Sequence, residues 1–127
     1  MQIYALVDDA LSEQPFYQDK IYNKAKVMAI VDSCTRLEKV VDGKLVGFVL
    51  CRVADHPILD IKIAYNQLLY VTPEYRLKGI ATDLFDQFKV WAKANGADQI
   101  YSGGALLTAL YQKENLQKID EVWTLTL

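Results

Sequence analysis

The sequence predicts a mixed α/β fold, in which helices flank a central mixed sheet, and three patterns support that prediction. Valine-rich segments flank Asp42-Gly43, a dipeptide typical of tight hairpin turns. Residues 58–71 alternate as a long strand does, whereas the apolar residues of 80–91 recur at helical spacing. The chain has 127 residues, of which 52% are hydrophobic, so we expect one domain spanning residues 1–127.

The first third of the chain gives weaker signals. Residues 2–7 alternate weakly and predict a first strand, followed by a short helix near Asp8 and Asp9. Pro15 suits the first turn of a second helix, which we expect to continue to about residue 31. Residues 27–31 are apolar enough to form a strand instead, and the pattern alone does not decide between the two.

The remaining elements follow clearer patterns. Two strands lie on either side of Asp42-Gly43, and the strand of residues 58–71 has a phase slip near Asn66 and Gln67 that indicates a bulge. A long helix is expected to begin at Gly79 and to end at Asn95-Gly96. The pattern then predicts a short strand, a helix and a final strand at residues 99–102, 105–114 and 119–127.

The composition argues against several classes of protein. The 14 Lys and Arg residues are balanced by 16 Asp and Glu residues, so no global positive field attracts nucleic acid or an anionic membrane. No basic leader is present at the start, and no uncharged run approaches the ~20 residues of a membrane span. Two cysteines and one histidine are too few for a zinc centre. We therefore expect a soluble, cytoplasmic protein without a bound metal.

The segment Val71–Thr82 combines the end of a strand, a proline and the start of a helix. The first amides of a helix have no intrahelical acceptor and the helix dipole is positive there, so the N–H groups of residues 77–81 can bind phosphate oxygens. Arg76 and Lys78 add positive charge, and Thr82 adds a hydroxyl group. This arrangement predicts a diphosphate site. The alternative is that the two cations are merely solvated in a simple turn.

Two segments carry a family resemblance. Arg76-Leu77-Lys78-Gly79-Ile80-Ala81, which follows Leu69-Tyr70-Val71, resembles the coenzyme A motif Arg/Gln-x-x-Gly-x-Gly/Ala of the GNAT superfamily of N-acetyltransferases. More weakly, Leu110-Tyr111-Gln112-Lys113-Glu114-Asn115-Leu116 resembles the Leu-Tyr-Glu-Lys-x-Gly-Phe segment of that family. The order of the predicted elements also agrees. The resemblance implies the GNAT fold and transfer of an acetyl group from acetyl coenzyme A (acetyl-CoA) to a primary amine.

The resemblance implies roles for the matching residues. Tyr111 would protonate the thiolate of coenzyme A as it leaves, although its side chain can also be a simple helix-face aromatic beside Leu107. Backbone donors at the bulge would bind the thioester carbonyl. The residues implied to hold the cofactor are Leu69, Tyr70, Val71, Arg76, Leu77, Lys78, Gly79, Ile80, Ala81 and Thr82.

Three positions depart from the family pattern. Leu77 stands where the family often has glycine, Leu116 replaces phenylalanine, and Gly104 stands where many members have an asparagine that contacts the cofactor. The usual strand carboxylate is also missing near the bulge, since Asp60 lies several residues earlier, so we expect the amine to lose its proton through water near Tyr65 or Asn66. The missing strand carboxylate, Gly104 and a compact N-terminal region motivate a rival to the leading hypothesis of an N-acetyltransferase, namely a non-catalytic GNAT-like binding or structural protein.

The sequence does not name the acceptor amine, because acceptor contacts in this fold come from variable loops. Residues 8–34 are expected to form the acceptor side of the cleft, where Lys20, Lys24 and Lys26 favour a solvated helix face over an acidic-substrate site. The final strand is a candidate pairing edge for a homodimer.

Overall fold

The computed structural model describes residues 2–103, 107–120 and 122–127. Its helices are α1 (Gln2–Glu13), α2 (Lys24–Ser33), α3 (Ile80–Ala94) and α4 (Thr108–Lys113). Its strands are β1 (Thr35–Val41), β2 (Lys44–Asp55), β3 (Lys62–Val71) and β4 (Gln99–Ser102). The sheet order is β1-β2-β3-β4, with β4 parallel to β3 and the other pairs antiparallel. This mixed sheet flanked by helices confirms the predicted fold class.

The sheet is buried on both faces. Because alternate residues of a strand point to opposite faces, Phe48 and Leu50 of β2 pack toward α1 and α2, whereas Val49 and Cys51 pack toward α3. On the α3 side, Leu84, Phe85 and Phe88 are completely buried. Each face therefore has its own apolar core, and β2 contributes to both.

The prediction of a first strand at residues 2–7 is wrong, because these residues belong to α1. Ile3, Leu6, Val7 and Ala10 are the buried residues of this helix, and their spacing of three, four and seven places them on one face. Six residues are too few to separate weak alternation from such a stripe.

The predicted helix from Pro15 to residue 31 is also partly wrong. Residues Pro15–Tyr17 form a single turn of 3₁₀ helix, and α2 begins only at Lys24. The start is set by Asn23, whose side-chain oxygen accepts a hydrogen bond from the Lys26 amide. Residues 27–31 are helical, which resolves the alternative between helix and strand.

The long strand β3 begins at Lys62, later than the predicted residue 58. Before it, the His56 ring nitrogen Nδ1 accepts hydrogen bonds from the amides of Ile58 and Leu59, and the His56 amide donates to the Ile61 carbonyl. These bonds hold residues 56–61 in a turn, away from the sheet ladder.

The C-terminal predictions differ most from the structure. The helix α4 spans Thr108–Lys113, while Ala105 and Leu106 of its predicted start lie outside the described residues. The predicted final strand at residues 119–127 is wrong for residues 119–120 and 122–127, which form no strand and are exposed. The predicted left-handed cap at Asn115 is confirmed by its φ of 61°.

The predicted bulge in β3 is confirmed. The pairing of β2 with β3 shifts register between Leu50, which faces Leu68, and Cys51, which faces Asn66, so Gln67 is the extra residue. On its other side β3 pairs with β4 only from Ile63 to Asn66. In the described part of the chain, residues 67–71 therefore have no strand partner on that side.

Candidate active site

The functional site is built around the unpaired half of β3. Residues 67–71 follow the bulge and leave one row of backbone N–H and C=O groups free of a β4 partner. Such groups are obligatory hydrogen-bonding groups, so this edge can receive an extended ligand as an additional strand would. The edge leads directly into the turn that precedes α3.

That turn has an unusual backbone. Leu77 has a φ of 62° and Gly79, the residue that caps the start of α3, has a φ of 79°. The Gly79 carbonyl accepts the first helical hydrogen bond of α3, from the Asp83 amide. Within the described chain, no carbonyl accepts from the amides of Leu77, Lys78 or Gly79, which leaves these N–H groups available to an anion.

The left-handed backbone at position 77 accounts for the glycine that the resembled family often has there, where this chain has Leu77. A left-handed backbone costs an L-residue about 1–2 kcal/mol, which glycine avoids. The Leu77 side chain is fully exposed and contributes nothing to the core that would offset this cost. The departure from the family pattern is therefore tolerated by the backbone rather than favoured by packing.

Arg76 is already positioned at the end of β3. Its Nε donates a 2.9 Å hydrogen bond to the Val71 carbonyl, and its Nη2 lies 2.9 Å from both carboxylate oxygens of Glu13. The guanidinium also lies 5.3 Å from the centre of the Tyr70 ring. Burial, followed by the Glu13 carboxylate, raises the pKa of Tyr70, so this phenol stays neutral. Glu13 occupies the place beside Arg76 that a phosphate oxygen can take.

A cavity of about 600 Å³ lies beside Arg76, between α1 and the end of β3. Five of the ten predicted cofactor residues line it: Leu69, Tyr70, Val71, Arg76 and Ala81. The other five form the turn and the start of α3 without lining the cavity: Leu77, Lys78, Gly79, Ile80 and Thr82. The cavity is within the usual range for ligand sites, ~300–1,000 Å³.

The side chains of the turn have other contacts. Lys78 Nζ lies 5.3 Å from the centre of the Tyr75 ring, and Thr82 Oγ1 accepts a 3.2 Å hydrogen bond from Lys113 of α4. Ile80 is buried in the α3 core, so only its backbone is available to a ligand. Lys113 thus adds a third cation near the turn.

Tyr111 lies in a chain of hydrogen bonds that connects β3, β4 and α4. Asn66 Nδ2 donates to Ser102 Oγ over 2.8 Å, and Ser102 Oγ donates to the Tyr111 hydroxyl over 2.9 Å. The Tyr111 hydroxyl in turn donates to the Gly103 carbonyl. Burial raises the pKa of Tyr111, and the Ser102 hydrogen bond partly opposes that shift. The phenol is therefore held in its protonated form.

A second cavity, of about 350 Å³, lies between α1, α2 and β3. It shares Gln14, Leu69 and Leu107 with the larger cavity, so the two adjoin along β3. Asn66 and Gly103 also line it, which places the Tyr111 network in its wall although Tyr111 itself lines neither cavity. The two cavities therefore form adjoining spaces that both contact Leu69.

Other candidate groups lie away from these cavities. Asp60 is exposed in the turn before β3, and His56 caps that same turn. Burial raises the pKa of the Cys51 thiol to about 12, so it stays protonated and is a poor nucleophile. Gly104, the third departure from the family pattern, lies outside the described residues.

Sequence reasoning missed Glu13 and Ser102. The sequence does not predict a role for Glu13, because nothing in its segment indicates a contact with Arg76, which lies 63 residues later in the chain. Ser102 was recognisable only as the last residue of a short strand, and its role follows from the pairing of Asn66 with Ser102. Both residues act through contacts between distant elements.

The geometry defines a protein that can bind a nucleotide-like anion beside an open strand edge, and comparison with known proteins identifies the class. The sequence model of the acetyltransferase (GNAT) family matches residues 3–113. The chain therefore belongs to the GNAT acetyltransferase family, and the predicted resemblance is confirmed.

Known relatives share the fold at low sequence identity. A ribosomal-protein-alanine N-acetyltransferase from Brucella melitensis biovar Abortus 2308 superposes with a TM-score of 0.72 at 19% identity, over 99% of this chain and 91% of that one. An acetyltransferase structure with acetyl-CoA, from Clostridium acetobutylicum, gives a TM-score of 0.76 at 18% identity, over 98% and 84% of the two chains. At such identities the likeness shows the fold alone.

One curated relative is closer in sequence over a short region. An aminoglycoside N(6')-acetyltransferase type 1 from Acinetobacter genomosp. 13 is 43% identical over 44 residues. That region is 35% of this chain and 30% of the relative.

In the described part of this chain, no helix is both long and apolar enough to cross a membrane.

The partly buried position of Tyr111 has a measurable consequence. Its phenol should ionise only above the ordinary value of 10.0, because burial disfavours the phenolate. The folded state then favours the neutral phenol, so this stabilising contribution is complete below pH 10.0 and is lost as the pH rises toward the raised pKa. The near-ultraviolet phenolate absorbance of the protein minus that of Tyr111→Phe isolates this group. Ionisation at or below the ordinary value contradicts the buried placement.

Proposed function

We propose that this chain is an N-acetyltransferase that transfers the acetyl group of acetyl-CoA to a primary amine, and that residues 1–127 form one such domain. The observation that carries the proposal is the turn before α3, where three free amides and Arg76 meet the unpaired edge of β3. A strand edge that ends at an anion site matches a cofactor with an extended amide arm and a diphosphate. Family membership agrees with this assignment.

The diphosphate would lie at the turn. The N–H groups of Leu77, Lys78 and Gly79 offer hydrogen bonds at the positive end of α3, and Arg76 offers a forked donor. The Arg76–Glu13 ion pair is partly exposed, with side-chain exposures of 42% and 34%, so it is a weak competitor. A doubly charged ligand can therefore take over the guanidinium from Glu13.

The amide arm would lie along residues 67–71 of β3. Their free backbone groups can pair with the amides of an extended ligand, which gives orientation without side-chain specificity. Acetyl-CoA, when bound, supplies an activated thioester. The backbone N–H groups at the Gln67 bulge are then the nearest free donors for a carbonyl oxygen that gains negative charge during attack.

The proton steps would use the wall of the smaller cavity. An ammonium group that has lost a proton to water is a neutral amine, which attacks the carbonyl carbon. A C–N bond forms, the C–S bond breaks, and the nitrogen loses a second proton to water to give the neutral amide. Tyr111, kept protonated by burial, is the candidate donor of a proton to the leaving thiolate. Because its hydroxyl donates to the Gly103 carbonyl in this structure, it must turn away from that acceptor to act.

The turn can be tested with a matched pair of glycine variants. Gly79→Glu should abolish the rise in melting temperature that acetyl-CoA produces, because a carboxylate would face the diphosphate. Gly43→Glu is the control, since Gly43 has a similar φ of 77° and both positions leave open space for a Cβ. The control should lose comparable stability and still respond to acetyl-CoA. A missing shift in the unaltered protein at millimolar acetyl-CoA contradicts the proposal.

Tyr111→Phe tests the proton donor. The variant should bind acetyl-CoA as the unaltered protein does, because Tyr111 lines neither cavity, while kcat should fall about 10²–10⁴-fold if the phenol protonates the thiolate. The measurement is coenzyme A release together with calorimetric cofactor binding. An unchanged kcat assigns Tyr111 to packing in the α3 core instead.

A non-catalytic binding protein is the second candidate. It is favoured by the Tyr111 hydroxyl, which is engaged by both Ser102 and Gly103, and by the lack of a carboxylate near the bulge among the described residues. A panel of polyamines, amino acids, peptides and simple alkylamines separates the two candidates. Coenzyme A release indistinguishable from that in buffer for every amine favours the binding protein.

We also propose a homodimer and a cytoplasmic location. The end of the chain exposes Val122, Trp123 and Leu125, each at least 83% accessible, and an apolar segment of this kind can pair with a second copy. Light scattering should give twice the monomer mass, and Trp123→Lys with Leu125→Lys should return the monomer. A monomeric unaltered protein refutes the proposed homodimer.

The proposed cytoplasmic location is supported by the two free cysteines, which are consistent with a reducing compartment.

A further inference from the structure

The chemical character of the smaller cavity suggests which amine it accepts. Its wall is formed mainly by aliphatic side chains of α1, α2 and the sheet: Val7, Leu11, Val27, Ile30, Val31 and Leu50. None of the described residues that line it carries a charge. The stretch between Gly103 and Leu107 is Gly-Ala-Leu, so the sequence adds no charged side chain there.

One buried polar atom in this wall lacks a partner. Asn66 is only 9% exposed, its Nδ2 donates to Ser102, and its Oδ1 has no hydrogen bond within the described chain. A buried carbonyl oxygen without a donor is unfavourable, and a ligand N–H group can correct this. Asn66 lines the smaller cavity next to the bulge, where an attacking amine has to be.

We propose that the acceptor is a small primary amine with an apolar body, whose nitrogen donates to Asn66 and whose body lies against α1 and α2. This inference rests on the proposed function, because it assigns the acceptor of that reaction. The volume of about 350 Å³ is near the lower limit for ligand sites and suits a compact amine. An amine with several positive charges would place an ammonium group against aliphatic walls without a counter-charge.

The proposal therefore separates this chain from the aminoglycoside enzyme that it partly resembles. An aminoglycoside carries several ammonium groups and many hydroxyl groups, and its recognition needs carboxylates and hydrogen-bonding side chains. Among the described residues that line the two cavities, Glu13 is the one carboxylate, and it lines the larger cavity and pairs with Arg76. The polar side chains among the described residues that line the smaller cavity are Gln14, Tyr17, Asn66 and Gln67.

The test compares two acceptors of equal length. Heptylamine and hexamethylenediamine differ only in a terminal methyl group that is replaced by an ammonium group. With the cofactor present, heptylamine should bind and react at least about tenfold better, because the second ammonium loses hydration without gaining a partner. An aminoglycoside should react more slowly still. Equal or better use of the diamine or of the aminoglycoside overturns the proposal.

Three variants of α2 provide controls. Ile30 lines the cavity and is 50% exposed, so Ile30→Asp should shift the preference toward the diamine by about fivefold or more, while Ile30→Asn should not. Met28→Asp adds the same charge to the same helix at 46% exposure outside the cavity lining, and should leave the preference unchanged. An equal shift in Met28→Asp means that general charge, rather than the cavity, sets the preference.

Binding and turnover are measured separately. Calorimetry with the protein saturated by coenzyme A reports amine binding even where no acetyl group is transferred. If neither amine reacts but heptylamine binds more tightly, the proposed catalysis fails and the cavity assignment stands. If amines react without discrimination between the pair, catalysis stands and this inference fails.

Discussion

The five residues by which β3 continues past its pairing with β4 are the feature on which the candidate site depends. Backbone donors and acceptors inside a sheet are normally all used by neighbouring strands. Here the partner on one side ends at Ser102, opposite Asn66, and the bulge at Gln67 turns the rest of β3 away from that line. The two cavities adjoin along the free edge that results and meet at Leu69.

The turn before α3 adds the proposed anion-binding groups to that free edge. Two left-handed residues, Leu77 and Gly79, are needed to bring the chain from the strand to the helix start. In the described part of the chain, the amides of these two residues have no intramolecular acceptor, and the positive end of α3 adds to the attraction for an anion. Arg76 is held beside them by the Val71 carbonyl and by Glu13, so the cation is positioned before any ligand arrives.

The proposed acceptor side, the smaller cavity, is shaped mainly by apolar packing. The helices α1 and α2 bury aliphatic side chains against the sheet and leave a space between them that no charged group of the described lining enters. Asn66 connects this apolar space to Tyr111 through Ser102. The polar side chains of Asn66 and Gln67 in the smaller cavity thus lie along β3, whereas the walls that α1 and α2 form are mainly aliphatic.

The sequence by itself determined the local parts of this protein. The bulge at Gln67 follows from a slip in the alternation of the strand residues. The Asp42-Gly43 hairpin, the helix start at Gly79 and the cap at Asn115 follow from left-handed backbone conformations that few residue types adopt. The family motifs pointed to the correct fold for the same reason. Tertiary structure alone decided that residues 2–7 are helical and that residues 122–127 form no strand, since short apolar segments take the form that their neighbours can bury. It also decided that Glu13 meets Arg76 and that Ser102 meets Tyr111, because hydrogen bonds between residues far apart in the chain leave no local pattern.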